Sequence, residues 1–125
     1  LILKFFDRHG ITVHFRRSPD APTVESPVVG QQLFRITQEA LANVRKHAAA
    51  RAVDITLGRA AGGAVLLAIT DDGQGFNPDA VPEQARRFGL VSMRERAEDV
   101  GGSFSIQSQP GGTRIVVTAP AGKGG

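Results

Sequence analysis

At 125 residues, with 41% hydrophobic and 22% charged positions, the chain has the size and composition of one globular domain. No apolar run approaches the ~20 residues of a membrane-spanning helix, and the absence of cysteine excludes disulfides, thiolate metal sites and cysteine nucleophiles. A formal charge of +3, spread out apart from Arg16-Arg17 and Arg86-Arg87, and scattered Phe without Trp or Tyr argue against a nucleic-acid surface.

The chain opens on Leu1 with no signal peptide, and reads as a cytoplasmic fragment of a longer protein that can itself be anchored in a membrane. Leu1 to Arg8 reads as the end of a helix stopped by Gly10, the remnant over residues 1–10 of a longer linking helix. Ile11 to Arg16 alternates as a strand, and a loop follows through Pro19 and Pro22 to Ser26-Pro27. Leu33, Ile36, Ala40, Leu41, Val44 and Ala48 then form one helical apolar stripe, with Ser26 and Pro27 as its start signal. Val53, Ile55 and Leu57 alternate as a half-buried strand. The unbroken run Ala64 to Ile69 predicts a strand covered on both faces. Beyond Asp71-Asp72-Gly73-Gln74-Gly75-Phe76 and a connection through residues 77–87, a short helix turns Leu90, Met93, Ala97 and Val100 inward and stops at Gly101. Phe104 and Ile106 mark another strand, Pro110-Gly111-Gly112 a turn, and Thr113 to Thr118 the returning strand. The glycine-rich tail over 121–125 is expected to be flexible. This order predicts an α+β two-layer sandwich, with helices packed on one face of a sheet.

Glu39 and Asn43 stand one helical turn apart and Lys46 just beyond, so α-helical spacing puts all three on one flank. A carboxylate, a carboxamide oxygen and an ammonium there can hold a magnesium ion and the phosphates it bridges, because magnesium takes few protein oxygens. The competing reading is a solvated helix face. His47 lies at the margin of the apolar stripe and suits packing, while His9 and His14 have no partner motif; scattered histidines do not make a metal site. Asp71-x-Gly73-x-Gly75 follows a buried strand. Its glycines permit close backbone approach to a flat ligand, and its carboxylate can accept from an exocyclic amine such as that of adenine. A plain Asp-Gly turn is the alternative. Gly89-Leu90 opens a helix whose N–H groups can meet phosphate, and Gly111-Gly112-Thr113 is either a simple turn or a hydroxyl beside the same ligand.

In order, these segments resemble the GHKL, or Bergerat-fold, ATPases. ITQEALANVRKHA (Ile36 to Ala48), DDGQGF (Asp71 to Phe76), FGLVSMRERAEDVGG (Phe88 to Gly102) and SQPGGTRIVV (Ser108 to Val117) look like the catalytic domains of two-component sensor histidine kinases, of the nitrate-sensor and desaturase-sensor type. The resemblance runs from about Ile11 to Pro120.

It implies a mixed five-stranded sheet backed by about three helices, an ATP-binding catalytic domain over 11–120, and ATP and magnesium as ligands. Asn43 would ligate the metal, with Glu39 and Lys46 beside it around the phosphates. Asp71 would read the adenine amino group, Gly73 and Gly75 would let the backbone approach, and Thr113 would support Asp71. Residues 76–88 would form a short lid, ended by Gly89 and Leu90 facing the phosphates. Arg87 and Ser92 replace residues that are often glycine in the family, which bears on lid geometry. The phospho-accepting histidine of such kinases lies on a helical hairpin, and neither His9 nor His14 has that context. The resemblance therefore implies a γ-phosphoryl donor to a histidine on a separate dimerisation domain, feeding a response regulator. The isolated fragment is then expected to be monomeric, with neither nucleic-acid nor membrane contact. Alternatives are a Bergerat-fold serine kinase of the anti-sigma-factor type and a non-catalytic nucleotide-binding module.

Overall fold

A computed structural model describes residues 2–6, 10–48, 50–75 and 89–122. The strands are β1 (Ile2–Phe6), β2 (Thr12–Arg17), β3 (Ala52–Arg59), β4 (Val65–Asp71), β5 (Ser103–Gln109) and β6 (Gly112–Ala119). Helical spacing becomes α1 (Pro27–Asn43) and α2 (Leu90–Asp99). The strands form one mixed sheet in the order β1-β2-β3-β4-β6-β5. β2 and β3 are parallel, with α1 as the crossover between them, and every other pair is antiparallel. The five strands expected are β2 to β6; β1 adds a sixth at the edge.

The expected helix end over residues 1–8 is thus corrected. Ile2 to Phe6 pairs with the free edge of β2, from Ile2 opposite Arg16 to Phe6 opposite Thr12. An Ile- and Phe-rich segment suits a pleated edge, where β2 offers its backbone bonds.

Helix α1 begins where the sequence signals it. Ser26 is the N-cap, its hydroxyl accepting the Val29 N–H at 3.3 Å, and Pro27 occupies the first turn. Val29, Leu33, Ile36 and Ala40 form the buried stripe. Past Asn43 the backbone widens into a π-helical turn over Val44–Ala48. Helix α2 buries Leu90, Met93 and Ala97 and ends at Gly101 (φ 78°), where the Gly102 N–H reaches the Ala97 carbonyl at 2.8 Å.

Both helices cover one face of the sheet. Val13, Val53, Ile55, Val65, Leu67, Ile69, Ile115, Val117 and Phe104 meet Ile36, Ala40, Leu90, Met93 and Ala97 in a single core. Burying each large side chain of this kind contributes about 1.5–3 kcal/mol. The expectation that β4 is covered on both faces is corrected: no described helix lies on the opposite face, where Leu66 and Thr70 are part-exposed. Ala68 is buried there between its cross-strand neighbours Thr56 and Val116, because a methyl group is short enough to be shaded by them.

Candidate functional site

Strand β4 carries its inward series Val65, Leu67, Ile69 one step further, to Asp71. The apolar pattern therefore delivers a carboxylate to the helix-facing side at the strand end. Its Oδ1 accepts the Gly73 N–H at 2.8 Å, and the Thr113 backbone N–H also bonds to the carboxylate. Burial pushes the Asp71 carboxyl above its ordinary value; the two N–H bonds pull the other way, and nearby Asp72 adds a smaller upward push. Asp72 faces elsewhere. Its Oδ1 accepts the N–H groups of Arg51 and Ala52 at 2.8 and 3.0 Å, chiefly these bonds lowering its pKa. It ties the loop to the start of β3.

Two glycines hold this loop against the β5–β6 hairpin. At Gly75 (φ 73°) a Cβ would lie 2.0 Å from the Gln109 carbonyl oxygen, and at Gly112 one would lie 2.3 Å from the Asp71 carbonyl oxygen. Backbone meets backbone there, so neither position has room for a side chain. Thr113, opposite Asp71 in register, is the buried polar residue among the core residues, and its hydroxyl lies 2.7 Å from Ser108 Oγ. Asp71, Thr113 and Ser108 form one polar row across β4, β6 and β5. The next row, Ile69, Ile115 and Ile106, is apolar. A groove of about 650 Å³ opens at this end of the sheet and takes in both faces, with Asp71, Ser108 and Thr113 on one and Thr70, Gln107 and Arg114 on the other.

The second half of the site is the seam between the helices. Gly89 (φ 67°) caps α2, and a Cβ on it would lie 2.3 Å from Glu39 Oε1. Glu39 of α1 is thus seated against the start of α2, where N–H groups lack helical partners. Arg96 donates to Gln32 Oε1 at 3.0 Å on the same seam. Asn43, one turn beyond Glu39, ends α1 and is part-exposed.

The structure thus joins Asp71, Gly73 and Thr113 directly, and Glu39 with Gly89. It alters three expectations. Leu90 does not face a phosphate with its side chain, which is 6% exposed and belongs to the core; what it offers is backbone at the start of α2. Lys46 is exposed on the π turn that follows α1, where the sequence expected continued α-helical spacing. His14 has a partner, since parallel pairing sets it beside Asp54 at 3.3 Å (Nδ1 to Oδ1). Ser92 is exposed on α2. Residues 76–88, including Arg87, His9 and the side chain of His47 lie outside the described residues.

Sequence reasoning missed Ser108 and Asp72. For Ser108 the signal was a hydroxyl facing Thr113 across the Pro110-Gly111 turn. For Asp72 it was a second carboxylate directly after the first.

Residues 29–123 match the family described as histidine kinase-, DNA gyrase B-, and HSP90-like ATPase. Sensor protein VraS of Staphylococcus saprophyticus is 46% identical over 96 residues, which cover 76% of this chain and 27% of that protein. VraS of Staphylococcus aureus is 45% identical with the same coverage, so the chain spans about a quarter of the length of these relatives. Among solved structures, the ATP binding domain of PrrB from Mycobacterium tuberculosis superposes with a TM-score of 0.61 at 29% identity, covering 82% of each chain. The Erythrobacter litoralis EL346 blue-light activated histidine kinase shares the fold, with a TM-score of 0.68 at 20% identity over 90% of this chain and 36% of that one.

Proposed function

This chain belongs to the histidine kinase-, DNA gyrase B- and HSP90-like ATPase family, and from that premise we propose that it is the ATP-binding catalytic domain of a two-component sensor histidine kinase. The observation that carries the proposal is the presence of two polar half-sites on this one framework of sheet and helices. One is the Asp71–Thr113 row at the sheet end; the other is the Glu39–Gly89 contact at the helix seam. The first suits a base edge with an amino group, the second a polyphosphate at a helix N-terminus.

In this reading Asp71 accepts from the adenine amino group. Gly73 and Thr113 hold its carboxylate through their backbone N–H groups. Gly89 and the Leu90 backbone meet the phosphates. Asn43 and Glu39 stand one turn apart on one flank of α1. That sparse oxygen set fits magnesium, which completes its shell with water and phosphate oxygens. Bound there, it would neutralise phosphate charge.

Transfer forms a bond between an imidazole nitrogen and the γ-phosphorus and breaks the bond to the leaving ADP oxygen. Glu39 receives or orients the imidazole proton, and Lys46 adds positive charge near the phosphates. Positioning and charge neutralisation supply most of the rate. The histidine belongs to a dimerisation domain of the parent kinase, which passes the phosphoryl group to a response regulator. The nitrate-sensor and desaturase-sensor subtype rests on the wording of Ile36–Ala48 and Phe88–Gly102.

The test supplies the chain with labelled ATP, magnesium and the histidine-bearing hairpin of its parent kinase. Acid-labile label on the hairpin, lost with Asn43→Ala, is the expected result. Undiminished transfer by Asn43→Ala would overturn the metal assignment, and acid-stable label on a serine would overturn the histidine kinase reading.

A further inference from the structure

We propose that the face of the sheet turned away from both helices carries a phosphate-binding cleft, closed on opposite sides by Arg16 and Arg114. It faces away from the nucleotide half-sites and does not depend on the roles given above to Asp71 and Glu39.

Strand order and side-chain length shape the cleft. On this face β3 presents Asp54 and Thr56 and β4 presents Ala68 and Thr70, all of them short. The strands to either side present long residues: His14 and Arg16 on β2, and Arg114 on β6. Short side chains on two central strands between long ones on the flanks leave a trough of about 460 Å³. Arg16, Arg114, His14, Asp54, Thr56 and Thr70 line it.

Arg114 leans over the trough, its guanidinium donating to the Thr70 hydroxyl on β4 at 3.2 Å. That bond takes one of five N–H donors and leaves the Thr70 hydroxyl its own proton to give. Arg16 stands in register with Thr56 and lines the trough from the β2 side. Among the described residues, neither guanidinium has a carboxylate within ion-pair distance. Asp54, the acidic group in the lining, meets His14 on the β2 side, Oδ1 to Nδ1 at 3.3 Å. The lining thus sets two guanidiniums against one carboxylate.

The directions of these donors select the ligand. Guanidinium groups approach from two flanks, and the Thr56 and Thr70 hydroxyls lie on the floor between them. A carboxylate holds two oxygens in one plane, which a single arginine fork satisfies. A phosphate spreads its oxygens tetrahedrally and can accept from both flanks and the floor at once. Arginine also sheds its water more readily than lysine does, which suits it to such an anion. Free phosphate and phosphomonoesters share this head group, and the experiment separates them.

The isotope-labelled chain is titrated at constant ionic strength with inorganic phosphate, methyl phosphate and acetate, and its amide resonances are followed by NMR. Saturable shifts at Thr56, Thr70 and Arg114 are expected with the phosphates, the tighter of the two naming the source, and acetate should bind more weakly. One charge-assisted hydrogen bond corresponds to about tenfold in affinity or more. Arg16→Gln and Arg114→Gln should each weaken binding by at least that factor. Both side chains are exposed, so the fold survives their replacement, and a dispersed spectrum verifies it. Arg16→Lys is the deciding variant. It keeps the charge and loses the fork, so a built site loses affinity where diffuse attraction does not. Shifts that never saturate, shifts confined to Gly89 and Leu90, acetate binding as tight as phosphate, or unchanged binding in Arg16→Lys would each overturn the proposal.

Discussion

Replacing Gly89 by alanine tests the seam between the helices, because the cost divides into two parts that a second substitution separates. The first part is the backbone: at φ 67° a residue with a Cβ is disfavoured by about 1–2 kcal/mol. The second is Glu39. A Cβ on Gly89 would stand 2.3, 2.8 and 2.9 Å from its Oε1, Cδ and Cγ. Turning the carboxylate alone does not clear three successive atoms, so the whole side chain must leave its rotamer, at about 0.5–1.5 kcal/mol. Gly89→Ala should therefore cost about 2–3 kcal/mol in the otherwise native chain. In a Glu39→Ala background only the backbone part remains, and the cost should fall by about 1 kcal/mol. Urea unfolding followed by far-ultraviolet circular dichroism measures all four members of the cycle, with unchanged m-values as the control for compactness. An identical cost of Gly89→Ala in both backgrounds would refute the seated position of Glu39 against α2.

Met93 is fully buried where α2 meets the sheet and α1, so Met93→Ala should lower unfolding stability by about 2–5 kcal/mol; a loss below about 1 kcal/mol in the same urea assay would place α2 outside the core. Asp71 yields a pH test. Burial raises its folded-state pKa, so the folded chain holds this proton to higher pH than the unfolded chain does. The stability this group contributes is present below the ordinary aspartate value and is lost as pH rises through the raised one. Wild-type minus Asp71→Asn stability, measured from about pH 3 to pH 7, should fall across that window and then level off. A flat difference would show that Asp71 is not desolvated.

Local pattern located β2 to β6, α1 and α2: a period of two or 3.6 for most, an unbroken apolar run for β4, and a preceding turn for β6. The N-cap Ser26 and the stop at Gly101 were legible for the same reason: capping is satisfied within a few residues. The motif residues Asp71, Gly73, Gly75, Gly89 and Thr113 were legible through their resemblance to a family, each at a predicted strand end or turn. Tertiary structure decided what those residues touch. Residues 2–6 became strand rather than helix through bonds to β2, a partner that local composition does not identify. Strand β6 entered between β4 and β5, and only that order sets Thr113 between Asp71 and Ser108. The packing of α2 turned the Leu90 side chain into the core and left Gly89 beneath Glu39. Strand pairing and helix docking are contacts between residues distant in sequence, so their register follows from the whole core rather than from any one segment.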